Sequence, residues 1–338
     1  MTGRESRAEP GSAESDASDA WLRRAAFGDL PAAEVWSAAA TGSARQRWLA
    51  AVVLGGQGRY AAAAALLDPL TRHADPVLAA LAGSALASHH RQLGGHAAAR
   101  RRDAAALGRL AVLPGSDQAT DPDSVDPDST DWDSVNPDSV DLDGVDGRGA
   151  LVDALLGLAA DALGLGRLAE ARRLLARARG PAVGWRAEVR IGWVTAEIEL
   201  AAGRADRAVA PAEAAAGVAR AAGAVRHSLK SDLVLGTALA VAGTPAGRDR
   251  AARLLKCVLS HTQVLPPLVW PSGLVLNAYD PTGVSDALDR ATGALTCVLR
   301  RADAHGRRLA SASPWMPTTL LRSGDPPNAD PRTKFLTD

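Results

Sequence analysis

Residues 151–179 read LVDALLGLAADALGLGRLAEARRLLARAR. Leu151, Leu155, Leu158 and Ala162 recur at helical spacing before the glycines at 164 and 166. Leu168, Ala171, Leu174, Leu175 and Ala178 do so after them. Each run is therefore a helix with one apolar face, because side chains three and four positions apart share a face at 3.6 residues per turn. Neither helix buries its stripe alone, so the pair predicts stacking on further pairs of the same kind.

The same punctuation recurs on both sides. Upstream, predicted helices cover residues 21–27, 45–54, 60–71, 77–92 and 96–112. Turns fall at Gly28, at residues 55–58 and at residues 93–95, and Pro31 suits the first turn of a helix. Downstream, predicted helices cover 185–202, 206–222, 225–242, 247–261, 272–279 and 285–305. Aligned on the turn glycine, the units share one spacing. Gly166 is preceded by Ala159 and followed by Ala171, Leu175 and Ala178. Gly203 has Ala196, then Ala208, Ala212 and Ala215; Gly58 has Ala51, then Ala63, Leu67 and Leu70. Gly94 has Ala87, then Ala99, Asp103 and Ala106. Gly28 offers Ala33, Ser37 and Ala40 behind Trp21, and Gly243 fits with a three-residue insertion that reaches Ala251, Leu255 and Val258. Small residues let two antiparallel helices cross closely, and the residue nine after the glycine fills the gap to the next pair.

This joint spacing resembles the tetratricopeptide repeat (TPR), over about residues 20–112 and 149–262, with a degenerate pair to about 305. The resemblance implies an all-α fold, an α-α superhelix in the form of a TPR-like right-handed solenoid of antiparallel helix pairs. The large position four before the turn glycine is filled by Leu54, His90, Ala162 and Glu199, which departs from the family pattern. The stretch AGAVRHSLKSDLVLGTALAVAG at 222–243, followed by LPPLVWPSGLVLNA at 265–278, is also similar to the helical-repeat segments of large LuxR-type bacterial regulators.

Between the two helical halves the composition changes. Residues 121–145 are a tandem pentapeptide, DPDSV, DPDST, DWDSV, NPDSV and DLDGV. A period of five suits neither a helix nor a buried strand, proline blocks helix, and like charges repel. The chain thus divides into a disordered N-terminus at 1–18, helical repeats at 19–113, an acidic linker at 114–148, further repeats at 149–309 and a disordered tail at 310–338. Calcium binding by the Asp-x-Asp pairs is disfavoured, because no glutamate completes an EF-hand-like loop after Asp141, Asp143 and Gly144. Trp132 reads as a solvent-exposed linker residue.

The formal net charge is zero, which argues against nucleic acid as a partner. The eleven Asp between 117 and 146, with no Lys or Arg among them, leave a matching cationic surplus on the helical parts. No apolar run is long enough to span a membrane, and no signal-peptide core precedes the first helix, so a cytoplasmic location is expected. Cys257 and Cys297 read as free buried thiols, with Cys257 packed near His261 at a helix C-terminus.

No catalytic residue, cofactor or metal is expected. Residues 164–169 match G-x-G-x-x-A, but a helix precedes them where a dinucleotide site needs a strand. His89, His90 and His96 lack a partner at metal-ligand spacing. The repeat register instead turns a mixed set inward on the first helices: Arg45, Trp48, Ser84, Ser88, Arg91, Arg190, Trp193, Glu197, Lys230 and Thr237. Such a concave groove suits a protein or peptide partner. Trp48 and Trp193 serve equally well as inter-repeat core. The expected function is a non-enzymatic interaction scaffold or adaptor, regulatory in kind, with a homodimer as an open assembly state. The alternative is a ligand-sensing module of the kind the LuxR-type resemblance implies.

Overall fold

Alanine and leucine at helical spacing, punctuated by glycine, produce helices throughout. The computed structural model describes residues 10–112, 141–182, 184–280 and 286–321. Its order is α1 (Pro10–Phe27), α2 (Trp36–Thr41), α3 (Ala44–Gly56), α4 (Tyr60–Leu70), α5 (Pro76–Gln92) and α6 (His96–Leu110). After the acidic segment come α7 (Gly147–Gly164), α8 (Leu168–Arg179), α9 (Trp185–Ala201), α10 (Ala205–Ala221), α11 (Val225–Ala242) and α12 (Pro245–Leu259). The chain closes with α13 (Pro266–Tyr279), α14 (Ala287–Arg300), α15 (Ala304–Ala312) and a 3-10 turn at Thr318–Leu321. The architecture is all-α, and the described residues contain no strand. None of the described helices is long and apolar enough to cross a membrane.

Local chemistry sets the starts. Ser43 and Gln46 form a reciprocal capping box on α3. Asp75 and Thr244 cap α5 and α12, each with proline in the first turn, where the missing N–H costs nothing. The α3/α4, α5/α6, α7/α8, α9/α10, α11/α12 and α13/α14 pairs pack together, and each pair packs on the next. Five of the six aligned glycines (58, 94, 166, 203 and 243) have φ near +70°, a conformation only glycine adopts cheaply. The aligned small and medium residues of these five units are all buried, from Ala51 and Ala63 to Ala251, Leu255 and Val258. The unit at Gly28 differs. Ser37 and Ala40 lie exposed, Trp21 is 39% exposed, and no complete hairpin forms there.

One hydrophobic core runs through both halves, joining Leu49, Leu54 and Leu81 to Leu155, Ala159 and Ile198. The acidic segment interrupts the sequence but not the stacking, since α7 packs directly on α5 and α6. The chain also returns on itself. Val225 donates its N–H to the carbonyl of Gly28 (3.0 Å), and Ala61 donates to Arg301 (2.8 Å). Tyr60 and Leu93 share a cluster with Leu295, Val298, Ala302 and Met316.

Several boundaries differ from the sequence reading. Helix α1 begins at Pro10, inside the segment expected to be disordered, while residues 1–9 lie outside the described residues. Gly55 and Gly56, read as part of a turn, belong to the last turn of α3. Helix α13 starts at Pro266, six residues early, because two prolines fit a first helical turn. The helix expected at 285–305 breaks after Arg300. The freed Arg301 carbonyl receives Ala61, and Asp303 caps α15. The tail expected from residue 310 begins with the end of α15 and the 3-10 turn; residues 322–338 lie outside the described residues. So do residues 113–140, including Trp132 and most of the acidic linker. Cys257 is exposed and Cys297 half-buried, not buried as expected. The buried stripe of α12 runs through Ala251, Leu255, Val258 and Leu259, which leaves position 257 outside. The His261 ring donates Nδ1–H to the Cys257 carbonyl (2.9 Å) and so caps backbone rather than pairing with the thiol.

Candidate functional site

The inner face begins with the first helix of each pair. Helices α3, α5, α7, α9, α11 and α13 all contribute to one cavity of about 440 Å³, and the second helices α4, α6, α8, α10, α12 and α14 contribute nothing. Phe27, at the end of α1, closes it on one side, and Trp315 with Met316 closes it on another. Trp315 is fixed there by its indole N–H to the carbonyl of Gly164 (3.0 Å).

The sequence-derived groove residues mostly meet in this cavity. Trp48, Ser84, Ser88, Arg91, Arg190, Trp193, Glu197 and Lys230 line it. Arg45 does not; it sits at the rim, 43% exposed, against Asp141 (3.5 Å). Thr237 does not either. It lies two turns beyond Lys230 on α11 and returns its hydroxyl to the Leu233 carbonyl (2.8 Å). The two tryptophans differ in burial. Trp48 is 2% exposed and belongs to the core while also facing the cavity. Trp193 is half-buried, donates Nε1–H to Ser231 Oγ (2.8 Å) and stacks on His227 at 5.6 Å.

The cavity is also lined by residues outside the groove set expected from the register: Arg186, Arg226, His89, His227 and Trp270. Two of them had a readable signal. Arg186 lies four residues before Arg190, and Arg226 four before Lys230, so each shares the face of a residue already placed inward. The glycine pair of α3 makes room. A Cβ at Gly56 would lie 2.9 Å from Cδ of Arg226, and one at Gly55 would collide with the His89 ring.

Charge is uneven around the wall. Arg186 (2.9 Å) and Arg190 share the single carboxylate of Asp153. Lys230 is held by Glu197 (3.1 Å). Arg226 has no carboxylate among the described residues; its one protein acceptor is the Ala26 carbonyl at 3.4 Å. Burial, reinforced by Arg186 and Arg190, lowers the pKa of Arg226 to about 10. Burial also keeps both imidazoles neutral. His89 falls to about 3, with His90 and Arg226 adding to the shift, and His227 falls well below its ordinary value under Arg226, Arg186 and Arg190. Arg91 is different. It is bound by both Asp103 and Asp161 (2.8 Å), two wholly buried carboxylates.

At the rim, the last pentapeptide of the acidic run is docked. Asp141 receives Arg23 at 2.5 Å, and Asp143 receives Arg23 (2.8 Å) and the Trp185 indole (3.1 Å). Arg186 donates to the carbonyls of Asp143 and Gly144. This unit differs from the four before it in carrying Gly144 where they carry serine. Gly144 has φ +64°, and a Cβ there would lie 3.0 Å from the Arg186 guanidinium. The described residues contain no cluster of His, Cys, Asp and Glu that could hold a metal ion.

Comparison with family models, with curated proteins and with solved structures finds no match to this chain.

Proposed function

We propose that this chain is a non-enzymatic binding module of regulatory type. In this reading its helix pairs follow a TPR-like right-handed superhelix, and the inner face holds a ligand. The observation that carries it is the lining of the cavity by the first helix of every pair and by no second helix, with the contact of early and late helices enclosing it. A ligand there would bridge elements far apart in sequence, which is how a sensing module couples occupancy to shape. The volume, about 440 Å³, falls within the range of about 300–1,000 Å³ typical of small-molecule sites. That favours the sensing reading over an open scaffold groove. The carboxylates on the wall, Asp153 and Glu197, are both engaged by cations, so neither is poised as a general base. A reducing, cytoplasmic setting suits the two free thiols.

A second reading, an adaptor for an acidic peptide, draws on the docked segment Asp141–Val145, a peptide already held by arginines at the rim. A thermal-shift panel of organic acids, nucleotides and acidic peptides tests both. A ligand at one hundred times its Kd stabilises the fold by about 2.7 kcal/mol. A rise in Tm with small molecules that is lost in Trp193→Ala supports the sensing module, and a rise with peptides alone supports the adaptor. No shift with any class overturns the binding reading.

A further inference from the structure

Resting on the binding-module reading, we propose that the cavity is an oxyanion site. The Arg226 guanidinium, with Arg186 and Arg190, takes the carboxylate or phosphate of a small organic ligand whose apolar body meets the indole wall of Trp48 and Trp270.

Unmet donors define the guest. Arg186 and Arg190 divide the Asp153 carboxylate, Arg186 also donates to the Asp143 and Gly144 carbonyls, and Arg226 has no carboxylate among the described residues, so three guanidiniums share one ion-pair partner and the open donors lie chiefly on Arg226. A guanidinium carries five N–H donors, and Arg226 spends one on a long contact to the Ala26 carbonyl. Trp48, 2% exposed, also lines the cavity, and its indole N–H, which only donates, has no acceptor. The Nδ1 atoms of His89 and His227 are likewise buried without a partner. A guest rich in acceptors and carrying negative charge meets the open guanidinium and indole donors, and planar bidentate pairing is what a guanidinium offers carboxylate and phosphate. Packing alone gives no reason for this arginine. An unbranched apolar side chain would fill the space above Gly56 without burying a cation. The docked pentapeptide shows the same chemistry at the rim, where Arg23 grips the carboxylates of Asp141 and Asp143.

The test uses the full chain and four probes: benzoate, phenyl phosphate, inorganic phosphate and benzyl alcohol, the last a neutral control. Binding is read by calorimetry and by Tm. Wild type is expected to bind benzoate or phenyl phosphate and to ignore benzyl alcohol. Arg226→Met is expected to keep or raise the Tm of the ligand-free protein and to weaken anion binding at least tenfold. Inorganic phosphate binding as well as phenyl phosphate supports recognition by the anion itself. If Arg226→Met fails to fold, Arg226→Lys keeps the charge but loses the planar fork, and a weakened affinity for the same anion is the supporting result. Undiminished anion binding in the variant that folds overturns the site. Equal binding of benzyl alcohol and benzoate overturns the oxyanion inference and leaves the binding module standing. Binding of acidic peptides with none of the four probes bound does the same.

Discussion

Two half-buried arginines of one cavity, Arg91 and Arg226, keep opposite company. Arg91 lies between two carboxylates, and although burial opposes its charge, Asp103 and Asp161 hold it above the ordinary arginine range. Arg226 lies near two other guanidiniums and has no acid beside it among the described residues. The first junction has surplus acid and joins α5, α6 and α7. The second has surplus base and spans α9 and α11. Since buried charge is costly unless paired, a closed network reads as structure and an open one as a place for something else.

The largest effect belongs to the closed network. Arg91→Met leaves Asp103 and Asp161 buried without a cation, and removing one partner of a buried pair costs about 3–5 kcal/mol. Urea denaturation of the variant is expected to show that loss, while Arg226→Met shows none. Equal losses would mean that both arginines are structural.

The next effect is a difference in sign with pH. His89 and His227 have folded pKa values below the unfolded value of about 6.5, so below that pH the unfolded chain binds more protons. Stability on the cavity side therefore drops as pH is lowered through about 6.5, by up to about 1.4 kcal/mol per unit for each histidine once the unfolded chain is fully protonated. His90, lowered to about 4 by burial and by Arg102 and His305, adds the same sign. Asp103 runs the other way. Burial raises its pKa against the pull of Arg91, with Asp161 adding to the rise, so the fold holds its proton longer than the unfolded chain does. That contribution grows more favourable as pH falls. Denaturation between pH 6.5 and 5.5 is expected to show a shallower loss in His227→Gln than in wild type. An unchanged slope would place His227 outside the balance.

How much of this was legible in the sequence depends on the range of the contact. The alanine and leucine register around Gly58, Gly94, Gly166 and Gly203 is local, and those positions are buried. The unit at Gly28 has the spacing after its glycine but Trp21 before it, and it did not fold as a hairpin. It has no preceding pair to pack on, and its glycine carbonyl serves Val225 instead. Closure of the cavity rests on pairs such as Ala61 with Arg301, whose partners no local pattern links. Arg186 and Arg226 share helix faces with Arg190 and Lys230, yet an arginine on a helix ordinarily marks a solvated face. The docked pentapeptide carried its own sign in Gly144, where the other units keep serine.

A smaller effect tests the open wall without touching its charge. Trp193→Phe keeps a ring against His227 and removes the indole donor to Ser231 Oγ. The loss of one such hydrogen bond is expected to cost about 1 kcal/mol in denaturant titration. A cost of several kcal/mol would make Trp193 core rather than cavity wall.

The smallest effect is expected at Asp103, and its pH dependence separates a protonated acid from an ordinary ion-pair partner. At pH 5 a carboxyl with a raised pKa is already neutral in the fold. Asparagine has its size, which matters because a Cβ on the facing Gly157 would already collide with this carboxyl. Asp103→Asn should therefore cost less at pH 5 than the loss of one hydrogen bond, about 1 kcal/mol. As pH rises, wild type meets a growing cost, because the unfolded chain ionises Asp103 freely and the folded chain does not. The variant escapes that cost, so its Tm should overtake that of wild type between pH 5 and pH 8. A variant that is several kcal/mol weaker already at pH 5 would mean that Asp103 is ionised in the fold. Arg91 would then need both carboxylates charged, and the surplus of acid on that wall would be real charge rather than a stored proton.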